Sequence, residues 1–184
     1  MEKITISRKQ FEVLKCIEKS TSKKSQREIA IEINISAGTV NKVMSSLSAM
    51  GLVSDGLITD KGYEALEPYR VKRAIFIAAG FGSRLVPITL NTPKPLVRVN
   101  GTRMIDTLLD AVVAVGIEDI YVVRGYLGEQ FEQLLIKYPN IKFIENPYYN
   151  EANNISSALL VRHLMQNAYV LEADLVLSNP SIIE

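Results

Sequence analysis

The chain holds 184 residues, 47% hydrophobic and 22% charged, enough for one domain or two small ones, and this composition excludes disordered, collagen-like and coiled-coil rod chains. Lys and Arg total 21 against 20 Asp and Glu, a net charge of +1, so bulk charge alone draws the molecule to no polyanion. A single cysteine, Cys16, excludes an internal disulfide framework or zinc finger; with no signal peptide and no run of ~20 apolar residues, a cytoplasmic protein without membrane insertion is expected.

Charge and pattern both change along the chain. Through Lys72 there are 12 Lys and Arg against 9 Asp and Glu, a net +3, and beyond it 9 against 11, a net −2. The first stretch reads as helices; the second alternates β-branched runs with helical stretches, the mark of parallel βαβ units. Pro68 restricts the residue before it and stops a continuing helix. Two domains are predicted, 1–72 and 73–184.

In the first, Val13, Leu14, Cys16 and Ile17 give residues 8–20 one apolar helical face, with Cys16 in the core. Ser25-Gln26-Arg27-Glu28 has the form of a capping box and opens a short second helix that ends at Asn34. Ser36 caps a third helix whose Val40, Val43, Met44, Leu47 and Met50 recur at three- and four-residue steps, closed by Gly51. Leu52-Val53 and Leu57-Ile58-Thr59 flank a turn at Asp55-Gly56 and predict a hairpin.

This order resembles the winged helix-turn-helix regulators of bacteria, and the stretch from Gly51 to Leu66 resembles their wing. The resemblance implies that the third helix enters the DNA major groove, with Ser36, Thr39, Asn41, Lys42 and Ser45 facing the nucleic acid and Lys61 near the wing. The presumed recognition helix, however, offers only Lys42 to phosphates, with Lys23, Lys24 and Arg27 before it. A dimerisation or docking module, with a homodimer as its product, is the alternative to DNA as partner.

In the second domain Ala74 to Ala79 is an apolar run of strand length, as in buried parallel sheets. Gly80-Phe81-Gly82-Ser83-Arg84 follows at once, and small residues there let backbone N–H groups close on an anion. The string lacks the third glycine of the dinucleotide fingerprint and the Gly-Lys-Ser/Thr of a P-loop. Helices are predicted over residues 107–115, 128–138 and 157–166, and strands over 120–123, 141–144 and 168–174. Asp174 ends the last strand, on the rim where open α/β sheets bind ligands, and a carboxylate there suits Mg²⁺.

The run from Ala78 to Thr89, with Pro93-Lys94-Pro95-Leu96 and Val99-Asn100-Gly101, resembles the signature of the sugar-phosphate nucleotidyltransferase superfamily. The resemblance implies a doubly wound, Rossmann-like domain in which Ala78, Ala79, Gly80, Phe81, Gly82 and Ser83 hold the nucleotide. Arg84 would meet the leaving pyrophosphate and Lys94 would neutralise phosphate charge during transfer, with Asp174 on Mg²⁺. Residues 125–131, 146–149 and 153–159 are together similar to bacterial phosphocholine cytidylyltransferases. That likeness implies CTP and phosphocholine as substrates and CDP-choline and pyrophosphate as products, with Gly125 and Tyr126 near base and ribose and Asn154 near nucleotide or acceptor. A quaternary ammonium needs aromatic faces, and Tyr148 and Tyr149 are adjacent. His163 reads as a surface residue, and a phosphate nucleophile needs no histidine base.

Two other readings stay open. One is a sugar 1-phosphate nucleotidyltransferase using UTP, dTTP or CTP; the other is a DNA-binding regulator with a nucleotide-sensing domain. The family pattern also places a second metal carboxylate and further acceptor residues downstream of Asp174, so the catalytic domain is expected to be incomplete here.

Overall fold

The computed structural model describes residues 4–20, 22–152, 154–179 and 182–183. They form two units, divided between Arg70 and Val71.

The first unit contains α1 (Arg8–Glu18), α2 (Gln26–Glu32), α3 (Ala37–Ala49), β1 (Val53–Ser54), β2 (Leu57–Ile58) and α4 (Asp60–Leu66). Side chains set the helix starts. Ser25 and Glu28 make the reciprocal capping box expected of them, Ser7 and Gln10 make a second, and Ser36 accepts from the Thr39 amide. Asp55 and Gly56 both take positive φ, 52° and 80°, as the tight turn of a two-residue hairpin requires. Val13, Leu14, Val40, Leu47, Leu52 and Ala65 are fully buried in one core around α1. Pro68 does not end the helical path: Glu67 keeps a right-handed helical backbone and Glu67–Tyr69 forms a 3-10 turn after α4. Proline is tolerated in a first turn because its missing N–H has no partner to lose there.

The second unit adds β3 (Arg73–Ile77), a small ladder of β4 (Arg98–Val99) and β5 (Thr102–Arg103), then α5 (Met104–Ala114), β6 (Asp119–Arg124), β7 (Ile141–Glu145), α6 (Asn154–Val161) and β8 (Ala168–Glu172). Four strands make a parallel sheet in the order β7-β6-β3-β8. Alternate residues of β3 face opposite ways, as the strand period demands. Ala74 and Phe76 enter the core with Leu109, Phe131 and Leu134, while Ile75 and Ile77 pack with Val161 and Leu164. Helical segments thus cover both faces, the doubly wound arrangement.

Several element bounds differ from the periodicity. The last strand, expected to end at Asp174, stops at Glu172, and Asp174 follows it in a turn. The α5 helix starts at Met104, not Thr107, and Thr107 donates its hydroxyl to the Met104 carbonyl within the first turn. Residues 128–136 form a 3-10 stretch, not an α-helix, entered through Leu127 at φ 46°. The last predicted helix begins earlier, at Asn154, and changes to a 3-10 turn at Arg162–Leu164. Ser156 and Ser157 are buried within α6 and both accept from Asn146 Nδ2, at 3.0 and 2.9 Å. Asn153 lies outside the described residues. His163 is exposed.

Candidate active site

Register fixes which loops meet. Ile77 lies opposite both Val123 and Glu172, so the segments that follow β3, β6 and β8 leave the sheet at one edge. The Ala78 amide is committed to the Val123 carbonyl (2.8 Å), and the Ala79 carbonyl accepts from the Tyr126 amide (3.1 Å). Both alanines are buried and anchor the glycine loop to the sheet. At Gly80 a Cβ would meet nothing within 4 Å, leaving open space for close approach. Gly82 is different: its φ is 69°, and a Cβ there would stand 3.0 Å from the Lys94 Cβ and 3.2 Å from the Thr89 methyl. Thr89, fully buried, donates its hydroxyl to the Gly82 carbonyl at 3.0 Å. The sequence offered no sign of this clamp beyond the threonine's place at the end of the signature.

Gly82, Ser83, Arg84, Lys94, Asn154, Glu172 and Asp174 line one open cleft of about 390 Å³. Lys94 Nζ lies 2.5 Å from Asp174 Oδ2, across 80 sequence positions. Both side chains are about 30% exposed, so the pair is tight yet open to an incoming ligand. Arg84 is exposed and, among the described residues, has no ion-pair partner. Glu172 is the residue that the sequence reading missed. It stands two positions before Asp174, with buried Ala173 between them, and strand alternation was the signal that could have found it. Among the described residues no group of three His, Cys, Asp or Glu comes together. One or two carboxylates are what Mg²⁺ asks of a protein when phosphates and waters fill its other positions, so Asp174 suits that ion.

Beside the loop the aromatic rings are not arranged as Tyr148-Tyr149 suggested. Phe81 meets Tyr126 edge-on at 4.6 Å between centroids, and Tyr126 meets Tyr149 at 6.4 Å, whereas Tyr148 is 54% exposed. Gly125 is required there, since a Cβ would stand 2.6 Å from that of Tyr149. The Tyr126 hydroxyl donates to the Leu90 carbonyl at 2.9 Å, tying this cluster to the segment after the glycine loop.

In the first unit the candidate DNA-facing residues share the start and outer face of α3. Ser36 and Thr39 are engaged in the helix cap, their hydroxyls 2.8 Å apart. Asn41 donates to Gln26 at 3.1 Å, and Ser45 donates back to the Asn41 carbonyl. Lys42 is exposed and has no partner among the described residues. Lys61 is spent on the Met50 carbonyl at 2.9 Å, bracing the end of α3.

Residues 73–183 match the nucleotidyl transferase family, and residues 6–54 match the winged helix-turn-helix DNA-binding family. The chain is 47% identical over 113 residues to the 2-aminoethylphosphonate cytidylyltransferase of Lancefieldella rimae, covering 60% of this chain and 46% of that protein. It is 43% identical over 102 residues to the choline-phosphate cytidylyltransferase of Streptococcus pneumoniae, covering 55% and 44% respectively. Among solved structures it is similar to the CTP:phosphocholine cytidylyltransferase from Streptococcus pneumoniae, with a TM-score of 0.57 and 42% identity over 59% of this chain and 47% of that one. The chain spans about half the length of the curated relatives it matches.

Proposed function

We propose, for a chain that belongs to the nucleotidyl transferase family, that its second unit serves transfer of a cytidylyl group from CTP to a small phosphate or phosphonate bearing an amino or ammonium group, phosphocholine among them, with release of pyrophosphate. The observation that carries this reading is the meeting of Gly82, Arg84, Lys94 and Asp174 in one cleft at the C-terminal edge of the sheet. Three separate segments deliver them. Similarity to cytidylyltransferases for choline phosphate and for 2-aminoethylphosphonate supports the base and the acceptor class.

The chemistry asks little covalent work of the protein. An acceptor oxygen, already ionised, attacks the α-phosphorus in line with the departing pyrophosphate, and catalysis consists of positioning and charge stabilisation. The loop around Gly80 and Gly82 brings the backbone close to the phosphates. Arg84, without an ion-pair partner among the described residues, offers a planar fork of donors to the pyrophosphate. Lys94 must leave Asp174 to reach phosphate oxygens, so nucleotide binding exchanges one ion pair for another. Mg²⁺, when held by Asp174, would withdraw charge from the phosphates.

Pyrophosphate release tests the reading. With CTP and Mg²⁺ the protein is expected to release pyrophosphate on addition of phosphocholine or 2-aminoethylphosphonate, and far more slowly with glucose 1-phosphate. Lys94→Ala is expected to lower that rate by about 10²–10³-fold, the range for removing one preorganised donor. Equal rates with glucose 1-phosphate would sink the acceptor class, and an unchanged rate in Lys94→Ala would remove that residue from the mechanism.

A further inference from the structure

Charge in the cleft is incompletely balanced. Four charged side chains line it: Arg84, Lys94, Glu172 and Asp174. Lys94 and Asp174 are closed on each other at 2.5 Å. Arg84 and Glu172 share the same walls, yet among the described residues neither has an ion-pair partner. Among the described residues the Glu172 carboxylate accepts from the Asn154 side-chain amide alone, at 3.4 Å between Nδ2 and Oε1, and Asn154 is the first residue of α6. The cleft therefore carries, among the described residues, one exposed cation and one exposed carboxylate that no opposite charge neutralises.

Beyond the charge of a Mg²⁺ on Asp174, a site that gathers two phosphorylated substrates gains nothing from a second carboxylate, which repels both, unless the acceptor itself brings positive charge. A sugar phosphate brings no such group. A phosphate or phosphonate with an ammonium at its far end does, and it brings a charge of each sign, as the cleft leaves one charge of each sign open. We infer that Glu172, positioned by Asn154, is a specificity-determining residue that selects acceptors carrying a cation over neutral acceptors of the same shape. This rests on the reading that the cleft joins a nucleotide to a phosphorylated acceptor. The carboxylate is indifferent to whether the ammonium is primary or quaternary, because attraction to its net charge needs no N–H.

Calorimetric titration of the protein with phosphocholine and with 3,3-dimethylbutyl phosphate, its uncharged carbon isostere, tests this without requiring turnover. The wild-type protein is expected to prefer phosphocholine about fivefold, the scale of a partly exposed ion pair, and Glu172→Gln to lose the preference while binding the isostere as before. Glutamine retains the carbonyl oxygen that Asn154 bonds, so shape is preserved. The pair 2-aminoethylphosphonate and propylphosphonate should behave alike. No preference in the wild-type protein, or a preference that survives Glu172→Gln, overturns the inference. So does a variant whose acceptor preference is intact while its Mg²⁺ affinity falls, which would make Glu172 a metal ligand. Failure of the transfer reading shows separately, as absent pyrophosphate release from a protein that still distinguishes the two acceptors.

Discussion

Gly82 and Gly80 stand two residues apart in one loop and answer to different demands. Gly82 is held at φ 69° with the Lys94 Cβ and Thr89 methyl where its own Cβ would point, and a left-handed backbone costs a residue with a Cβ about 1–2 kcal/mol. Gly82→Ala is therefore expected to lower the thermal midpoint of the second unit and to weaken CTP binding, since Lys94 must shift. Gly80 has neither constraint. Gly80→Ala should leave the midpoint unchanged and still weaken CTP binding, because the added methyl occupies space that a phosphate would enter. Thermal unfolding with a parallel CTP titration separates the two; equal loss of stability in both would refute the distinction. At this scale much of the site was legible in the sequence, since a strand followed by small residues and then separated Arg, Lys and Asp constrains chemistry strongly. The direct pairing of Lys94 with Asp174 was not, because nothing local links positions 80 apart. Nor was the Thr89 clamp, a contact made only after the chain has turned back on its loop.

Among the elements, those whose signals are carried within a few residues followed the sequence closely. The capping box of Ser25 and Glu28 is such a case. Hydrogen bonds from the Ser25 backbone amide, and then from its side chain, hold the Glu28 carboxyl below its ordinary range. A carboxylate depressed in the folded state stabilises it above the unfolded-chain pKa, and that contribution is lost as pH falls through the folded value. Helicity of the first unit is expected to melt earlier as pH is lowered from about 6 to about 3, with Glu28→Gln reducing that dependence. Melting followed at 222 nm checks it, and an identical pH profile in the variant would count against the cap. What local signals could not carry was a partner distant in sequence in one place and the pitch of a helical stretch in another. Ahead of α6, buried Asn146 reaches across from the end of β7 to Ser156 and Ser157 and accepts from the Tyr148 amide as well, links that no local pattern announces. Residues 128–136 carry helical periodicity but close onto 3-10 bonds, as in Gln130 to Leu127 at 3.0 Å, a difference in pitch that apolar spacing over two turns resolves poorly.

For the molecule as a whole, the near-zero net charge conceals a basic first unit and an acidic second, and the hydrophobic residues divide in the same way. The core around Leu14 and Leu47 and the cores around Phe76 and Ile75 have no residue in common. Each unit thus holds its own apolar interior, which is the physical condition for separate cooperative unfolding. A ligand that binds only the folded form of one unit stabilises that unit by RT ln(1 + [L]/Kd), about 2.7 kcal/mol at a hundredfold excess over Kd. Because the cleft residues all lie between Gly82 and Asp174, CTP with Mg²⁺ should raise one calorimetric transition by several degrees and leave the other in place. The unmoved transition should be the one whose position responds to Glu28→Gln. A shift of both transitions on adding CTP, or a single transition for the whole chain, would refute this independence.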